Sequence, residues 1–436
     1  MRLTIFLLLL TGFARAADPG PSPSAAPPER PLDPLLEADA LWETPAQSSP
    51  HYANLGFHWN SAAMDSLQTT LPGVSLFHIP ISGALVRFAA GKPKEVDVLF
   101  YDRGDNGELS KEEFDALLQR CEAAISAFSN AAMTPLGKDA ASAVKADANE
   151  WQTQKTKFLL EFSSTRELKS RGIPFRAEFV RLEMTPVEKP RTLLDEALGT
   201  TGSGPFSGPS HVKKTASGDV LIEGIPMVDQ GRKGYCVVAS VERVLRYYGG
   251  KVDQNELAEI ANSSAAKGTN YEEMFDALKK LTARLQIKTR VEEPFDSRTF
   301  LTIVTEYNRA AKKEKADQVD IYEPDSDIGS VYHQMNFDIL RKARTKNPAE
   351  MDRFQKLVQA HIDDGIPLLW SVIVGLAPEN PPIHGFGGHM RLVIGYNEQN
   401  AEILYSDSWG PGHELKRMPA ADAWAITTGI STVEPL

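Results

Sequence analysis

The sequence predicts an α+β protein in which two separately folded parts are joined by a linker. The chain has 436 residues, which is long for one domain and suggests two or three. Residues 199–210, near the middle, are dense in glycine, serine and proline, a composition typical of a flexible connection. Strand-like and helix-like patterns are mixed on both sides of this stretch. We therefore expect an α+β domain before the linker and a second α+β domain after it.

The N-terminus predicts a targeting segment. Arg2 is a charged start, residues 5–10 form a short apolar run, and Ala14-Arg15-Ala16 is a small-x-small cleavage site. Prolines among alanine and serine follow, as in a disordered linker. We expect export to the periplasm or the extracellular space. The predicted segments are a signal peptide (1–16), a Pro-rich linker (17–38), an N-terminal α+β domain of unknown role (39–187), a Gly/Ser/Pro linker (188–217) and a C-terminal domain (218–436).

Charge and cysteine content narrow the function. The net charge of −11 and the pI near 5.4 argue against nucleic acid as a partner, because a phosphate-binding surface needs clustered lysine and arginine. No stretch is long and apolar enough to be an integral membrane anchor. Export would permit a disulfide between Cys121 and Cys236, but their sequence contexts differ. We interpret Cys121 as a buried single thiol on a helix.

The N-terminal domain alternates strand-like and helix-like patterns. We predict strands over residues 74–79, 84–88, 96–101, 158–162 and 175–184, and helices over 110–129 and 138–155. Residues 102–113 imitate a calcium-binding loop, with Gly107 at the turn and Glu113 at the last ligand position. Gly104 occupies a ligand position, however, and a strand precedes the loop. A strand-turn-helix junction is therefore the preferred interpretation, and calcium binding stays open.

Cys236 is placed as a nucleophile would be. It begins an amphipathic stretch in which Val237, Val241 and Val244 recur at helical spacing. Backbone N–H groups and the helix dipole favour a thiolate at a helix N-terminus. Gln230, six residues upstream, could donate its amide N–H to a developing oxyanion. We predict further helices over 256–262 and 272–281, a charged helical surface insertion over 300–359, and strands over 367–374, 389–396 and 401–407.

A cysteine nucleophile needs a base and a group that orients this base. His389 starts one predicted strand, and Asp407 ends the next. If Tyr396 pairs with Asn400 across a short turn, the register places His389 directly opposite Asp407. Facing residues of an antiparallel pair have Cβ atoms about 5 Å apart. The hairpin itself therefore predicts a histidine–carboxylate contact.

These elements, in this chain order, resemble the papain-like cysteine peptidases, with Asp407 followed by Ser-Trp-Gly. The resemblance implies that Cys236 attacks, His389 is the general base, Asp407 orients it, Gln230 belongs to the oxyanion hole and Trp409 covers the His389–Asp407 contact. The resemblance covers residues 222–285 and 360–412. Within it, residues 237–249, 268–269 and 364–369 are more similar to the bacteriocin-processing, double-glycine peptidase-like branch. The family fold implied is a helical lobe facing an antiparallel β lobe. A peptide or protein substrate is expected, without a metal or other cofactor.

Three functions remain open at this point. The first is peptide hydrolysis, the second is transglutaminase-like acyl transfer by the same triad, and the third is a catalytically inactive papain-like binding domain. Tyr235 and Val237 depart from the family pattern beside the nucleophile, which leaves substrate preference open. The N-terminal domain could be a regulatory pro-region, a substrate-docking module or an adaptor. We expect it to dock either on the peptidase domain or on a surface partner.

Overall fold

The protein has a mixed α+β architecture, as predicted from the sequence. The computed structural model describes residues 29–37, 41–43, 50–138, 142, 144, 146–165, 174–187, 206–231, 234–261, 271–280, 282–320, 328–383 and 385–436. The predicted signal peptide and most of the predicted linkers lie outside these residues. Among the described residues, no helix combines the length and the apolar character that crossing a membrane requires.

The N-terminal region is built on one antiparallel sheet. Its strands alternate buried and exposed residues, so one face packs against a core. The helix Lys111–Ser129 covers this core with Phe114, Leu117, Cys121 and Ile125. Within the described residues the eight strands run, in sheet order, His58–Trp59, Ser66–Thr69, Gly83–Ala89, Lys92–Asp102, Arg176–Pro186, Thr156–Thr165, Asp147–Gln152 and Thr134–Lys138.

The helix predicted over 138–155 is wrong. The segment contributes the strand Asp147–Gln152, which pairs antiparallel with Thr156–Thr165. Alanine-rich sequence favours a helix locally, but Ala148 and Trp151 are buried on the sheet. The indole Nε1 of Trp151 also donates to the Ser126 hydroxyl at 2.9 Å. Packing against the Lys111–Ser129 helix therefore overrides the local propensity.

Ordered structure of the N-terminal region begins before residue 39, the predicted boundary. Arg30–Pro31 forms a short strand that pairs parallel with Val74 and Ser75. Leu32 and Leu35, in the following turn and the helix Asp33–Glu37, are buried in the core. These leucines supply the apolar area that the proline-rich residues before them lack. The remaining short elements are the helices Pro50–Asn54 and Arg103–Asn106 and the strands Val74–Leu76 and Ile79–Pro80.

The C-terminal region has its own antiparallel sheet. The central strand Gly387–Asn397 pairs with Leu368–Val374 and with Glu402–Ser406. The strand Val212–Lys214 lies at one edge, so this sheet extends N-terminal to the predicted start at residue 218. Within the described residues the order is Val212–Lys214, Asp219–Ile222, Gly387–Asn397, Leu368–Val374, Thr427–Pro435 and Ile287–Glu293, with Glu402–Ser406 and then Lys416–Pro419 added on the other side of Gly387–Asn397.

Helices pack on both faces of this central strand. Met390, Leu392 and Ile394 share one hydrophobic core with the helix Cys236–Tyr247. Val393, which alternates with them, belongs to a second core with the helix Pro348–Asp363. The other helices on the two sides are Gln254–Ile260, Tyr271–Lys280, Thr282–Leu285, Ser297–Glu314, Ile328–His333, Phe337–Arg344 and Ala420–Ile426.

The predicted surface insertion over 300–359 is part of the folded domain. Ile303, Tyr307 and Leu340 from its helices form a buried cluster that also contains Ile373 of the central sheet. Phe354 and Val358 of the last helix are buried against the sheet core. The segment was assigned to the surface because its charged residues dominate the composition. Those charges lie on the outer faces of amphipathic helices, and the inner faces are apolar.

Candidate functional site

Cys236 is the first residue of the helix Cys236–Tyr247, as the sequence predicts. Val238, Val241 and Val244 are fully buried, which fixes the helix against the sheet. Tyr235 precedes Cys236 and makes no side-chain cap hydrogen bond to the helix. The half-buried Cys236 thiol therefore lies where unpaired backbone N–H groups and the positive helix end meet.

The predicted hairpin register is wrong, but the contact predicted from it is present. The ladder pairs Asn397 with Glu402 and Leu392 with Ser406, so the connection is longer than the short turn assumed from the sequence. A register shift between Val393 and Gly395 moves the pairing back by one residue but does not restore the predicted register. Asp407 lies beyond the last ladder pair, where its side chain turns towards His389. Because Asp407 follows the end of the strand, its side chain reaches His389 although the two residues are not paired in the ladder.

Cys236, His389 and Asp407 form a continuous chain of hydrogen bonds. His389 Nε2 lies 3.1 Å from Asp407 Oδ1, and the imidazole also hydrogen-bonds the Cys236 thiol. A carboxylate can only accept, so Nε2 carries a proton and Nδ1 is the nitrogen that remains for the thiol. The Trp409 ring stacks on the imidazole with centroids 4.2 Å apart and planes 17° apart. This stacking covers the His389–Asp407 contact.

Electrostatics favour a thiolate–imidazolium pair. Burial opposes ionisation of Cys236, but the hydrogen bond and charge of His389 outweigh it and lower the thiol pKa. Burial would lower the pKa of His389, yet the hydrogen bonds to Asp407 and Cys236 raise it above its ordinary value. For Asp407, burial raises the pKa, but the hydrogen bond from His389 and the positive charge of Arg391 outweigh it and hold the pKa well below the usual range. All three shifts stabilise the charged forms.

The side chain of Gln230 is buried and held in one orientation. Its Oε1 accepts a hydrogen bond of 2.7 Å from the Ser408 hydroxyl, and its backbone N–H donates to the Ser408 carbonyl at 2.9 Å. Ser408 lies between Asp407 and Trp409 in the chain. The amide predicted to belong to an oxyanion hole is thus attached to the same turn that carries Asp407.

A ring of four buried charges, which no sequence pattern predicts, lies behind His389. Asp407, Arg391, Glu379 and Lys416 alternate in sign, and each side chain is at most 1% exposed. Arg391 lies 2.7 Å from Asp407 and 2.9 Å from both oxygens of Glu379. Lys416 lies 2.9 Å from Glu379 and 3.5 Å from Asp407. These four residues, called the buried charge ring below, leave no net charge.

Arg243 ties the Cys236 helix to the Asp407 turn. Its guanidinium is buried and donates to the Asp407 carbonyl at 2.9 Å, to the Ser406 hydroxyl at 2.6 Å and to the Pro226 carbonyl at 2.8 Å. Burial lowers its pKa to about 10, against the opposing charge of Asp407. Arginine at this position could have been noticed, since it falls on the otherwise apolar face of the predicted helix.

Residues of the N-terminal region contact the turn before Cys236. A Cβ added at Gly104 would overlap the Tyr235 hydroxyl and lie 2.8 Å from Tyr235 Cζ. Burial raises the pKa of Tyr235, and the Asp102 carboxylate raises it further. Asp102 itself caps the short helix by accepting from the Gly104 N–H at 3.0 Å. Glu113 similarly accepts from the Ser110 N–H at 2.9 Å. Two carboxylates of the calcium-like sequence thus serve as helix caps.

Other contacts join the two regions away from Tyr235. Arg181 pairs with Asp253, and the Ala62 N–H donates to Glu414 at 2.9 Å. A cleft of about 820 Å³ lies between the regions and extends to Gln230. Cys121 is buried in the N-terminal core, where burial raises its thiol pKa to about 12, and both cysteines are unpaired.

Among the residues that the structure describes, two groups of side chains have donor atoms close enough for a metal ion. One consists of Glu292, His361 and Glu434, and the other of Glu95, Asp97 and Glu183. Lys288 pairs with Glu434 at 2.9 Å, and Arg87 pairs with both Glu95 and Asp97. Lysine and arginine thus already offset part of the negative charge in each group.

The fold and the site define a papain-like, cysteine-peptidase-like domain in the C-terminal region. Residues 222–431 match the family model described as "Peptidase_C39 like family". Among solved structures the chain is similar to xylellain, a cysteine protease from Xylella fastidiosa, at 14% identity. That match covers 57% of this chain and 95% of xylellain, with a TM-score of 0.26. No curated protein matches the chain.

Proposed function

We propose that the protein is a cysteine peptidase that hydrolyses peptide bonds through Cys236, His389 and Asp407. The observation that carries this proposal is the hydrogen-bonded chain from the thiol through the imidazole to the carboxylate. Two further findings support the proposal. The Trp409 ring stacks on the imidazole, and residues 222–431 match the C39-like peptidase family model. The proposed substrate class is a peptide or a protein.

The reaction follows from the proposed roles. The Cys236 thiolate attacks the scissile carbonyl carbon, forms a C–S bond and moves an electron pair onto the oxygen. The Gln230 amide N–H and the Cys236 backbone N–H stabilise this oxyanion. Protonated His389 gives its proton to the leaving amine as the C–N bond breaks. His389 then takes a proton from water, and the hydroxide attacks the thioester, which releases the acid and restores the thiolate.

The test compares the wild type with Cys236→Ala on a mixed-peptide library, analysed by mass spectrometry. We expect new cleavage products with the wild type and none with Cys236→Ala. Cys121→Ala is the matched control, because it removes the other thiol in the N-terminal core, and it should retain the cleavage pattern. Identical product profiles for the wild type and Cys236→Ala would contradict the proposal.

Two further arms separate the alternative functions. Adding small amines to the reaction would divert the thioester into amide products if the enzyme were an acyl transferase. A thiol-directed epoxide should label Cys236 in the folded wild type. A fully folded protein whose Cys236 does not react would instead support an inactive binding domain.

We also infer export, since the first residues carry the pattern of a signal peptide. Cleavage after Ala16 would leave Ala17 as the mature N-terminus. Expression with the natural leader, fractionation and N-terminal sequencing test this inference. A protein retained in the cytoplasm with Met1 intact would contradict it.

We further propose that the N-terminal region docks on the helical side of the peptidase domain. The Gly104–Tyr235 and Arg181–Asp253 contacts support this arrangement. Tyr235 directly precedes the proposed nucleophile, so docking would hold the start of the Cys236 helix in place.

A further inference from the structure

The buried charge ring adds Arg391, Glu379 and Lys416 to the residues of the proposed site. Glu379 receives three contacts from buried groups, which are Arg391 at 2.9 Å, Lys416 at 2.9 Å and the Tyr405 hydroxyl at 2.6 Å. Lys416 bridges from Glu379 to Asp407. Neither side chain reaches solvent, so both charges act through a medium that screens them weakly.

A buried ring of charges contributes little net free energy to the stability of a fold. Removing charges from water carries a penalty that ion pairing offsets only when the geometry is good, and apolar replacements of similar volume are often as stable. Arg391 also packs over the ring of Tyr405, 4.7 Å from its centroid. Together these groups fix the position of Asp407 and the electrostatic potential around it.

We propose that Glu379 and Lys416 are positioning residues that act through Asp407 to control how firmly His389 holds its proton. This inference rests on the proposed role of His389 in the reaction. Glu379 offsets the positive charge of Arg391 and Lys416, so that Asp407 keeps its full attraction for the imidazolium. The positive charge of Lys416 keeps the ring neutral, so that Glu379 and Asp407 together do not add a net negative charge beside His389.

Opposite effects follow from the opposite charges. Glu379→Gln leaves the ring with one net positive charge, which favours the thiolate and disfavours the imidazolium, so both ionisations move to lower pH. Lys416→Met leaves one net negative charge and moves both to higher pH. At the short distances of this ring, a change of one charge should displace the profile by about half to one pH unit.

Other charged and titratable groups face the same site and must remain unchanged in the comparison. Cys236 contacts His389 from its helix, and His413 Nδ1 lies 3.9 Å from Asp407 Oδ2. Arg243 donates to the Asp407 carbonyl, and the charge of Glu414 acts on Arg243. None of these side chains is altered in the two variants.

The test measures the rate at which iodoacetamide alkylates Cys236 as a function of pH. The thiolate displaces iodide and forms a C–S bond, so the reaction reports ionisation and needs no peptidase turnover. Mass spectrometry of the peptide that contains Cys236 gives the rate. We expect the profile of Glu379→Gln to move to lower pH and that of Lys416→Met to higher pH. The double variant should return to the wild-type profile, because its ring is again neutral.

A control variant and a folding check complete the experiment. Lys342→Met also removes one positive charge, but from an exposed pair with Glu314, and should not move the profile. Thermal unfolding identifies variants that remain folded. If Glu379→Gln does not fold, Lys416→Met carries the test, since the sign of its displacement is predicted. Profiles of folded variants that stay with the wild type, or that move in the same direction, would overturn the inference.

The experiment separates this inference from the proposed function. If wild-type Cys236 is alkylated with the pH dependence of an ordinary thiol, the proposed nucleophile itself is wrong. If wild-type Cys236 ionises at low pH but both variants have the wild-type pH profile of alkylation, the proposed role of Glu379 and Lys416 is wrong. The proposed role of Cys236 is then unaffected.

Discussion

The Asp407 carboxylate lies close to three charged or titratable side chains besides the hydrogen-bonded His389. Arg391 contacts one of its oxygens, and Lys416 and His413 lie near the other. This environment keeps the carboxylate charged in a site from which water is excluded. Two of the surrounding cations are themselves buried, so they depend on Asp407 as much as it depends on them.

The mutual dependence predicts the effect of Asp407→Asn on stability. The asparagine preserves size but leaves Arg391 and Lys416 with Glu379 as their single carboxylate partner in the ring. Breaking a buried pair in this way should cost about 3–5 kcal/mol of unfolding free energy. Chemical denaturation measures the loss. Glu314→Gln, which breaks an exposed pair with Lys342, is the control and should change stability by less than about 1 kcal/mol. Equal effects of the two variants would contradict the prediction.

The pH dependence of catalysis follows from the shifted pKa values of Cys236 and His389. The lowered thiol pKa should extend activity below the pH at which an ordinary cysteine ionises, about 8.5. Because the pKa of His389 is raised, the imidazole should stay protonated, and the enzyme active, at pH values above about 6.5, the ordinary pKa of histidine. We therefore expect a bell-shaped dependence of kcat/KM on pH, measured with a peptide identified from the library. A single rise with its midpoint near pH 8.5 would show that the ion pair does not form.

The residues of the proposed triad were more predictable from the sequence than their surroundings. Cys236, His389 and Asp407 were found because each follows a local pattern, namely a helix start, a strand start and a strand end. The register that linked the last two was wrong, since hairpin length depends on the turn that forms between Asn397 and Glu402. Glu379 could not have been found, because it belongs to a loop whose partners are distant in sequence.

Arg243 provides a connection between secondary-structure elements. It joins the Cys236–Tyr247 helix to the end of the Glu402–Ser406 strand and to the segment that leads to Gln230. The helix and the strand are held mainly by apolar packing, which sets their separation but specifies direction weakly. The three hydrogen bonds of one rigid guanidinium add that directional control.

Arg243→Met should therefore uncouple the helix from the Asp407 turn. Hydrogen bonds to a charged group contribute about 1.5–3 kcal/mol each, so the loss of three should exceed about 3 kcal/mol of unfolding free energy. Denaturation measures this loss, and alkylation of Cys236 in the folded variant should be slower. Arg353→Met, on the exposed face of the Pro348–Asp363 helix, should stay within about 0.5 kcal/mol of the wild type. The prediction is wrong if Arg243→Met is as stable as Arg353→Met.

Secondary structure was predictable wherever a local pattern and its packing agreed. The Lys111–Ser129 helix begins with a capping box formed by Ser110 and Glu113 and ends at Asn130, and all of these signals are visible in the sequence. The strand Asp147–Gln152 was missed because its neighbours along the chain favour a helix. Its place in the sheet is decided by Thr156–Thr165 and by the covering helix.

At the scale of the whole molecule, residues of the N-terminal region lie close to Tyr235, which precedes the proposed nucleophile. Asp102, Arg103 and Asp105 act electrostatically on Tyr235, one residue before Cys236. Linker composition indicated two domains but carried no information on how they contact each other. A contact between domains depends on complementary surfaces, and neither surface has a periodic signature in the sequence.

Gly104→Ala tests whether this contact influences the site. The added methyl group would overlap Tyr235, and its relief requires a shift of the Asp102 turn or of the turn before Cys236. We expect a several-fold slower alkylation of Cys236, measured on the full-length chain. Alanine favours a helix more than glycine does. A slower alkylation of Cys236 therefore cannot be attributed to a weaker Arg103–Asn106 helix.

Shortening the partner side chain supplies the matched control. Gly104→Ala combined with Tyr235→Leu makes room for the methyl group and should recover much of the alkylation rate seen with Tyr235→Leu alone. An unchanged rate in Gly104→Ala would show that the contact does not affect Cys236. Failure of the double variant to recover would show that Gly104 acts through another neighbour.

The fit between Gly104 and Tyr235 also constrains how the two parts of the chain can diverge. A larger residue at position 104 requires a smaller one at position 235, although 130 residues separate them and the two lie in different regions of the fold. In related chains that preserve this arrangement, the two positions should vary together. A transplanted N-terminal region would then function only with a peptidase domain of matching side-chain size. The two parts are therefore expected to be inherited as a matched pair.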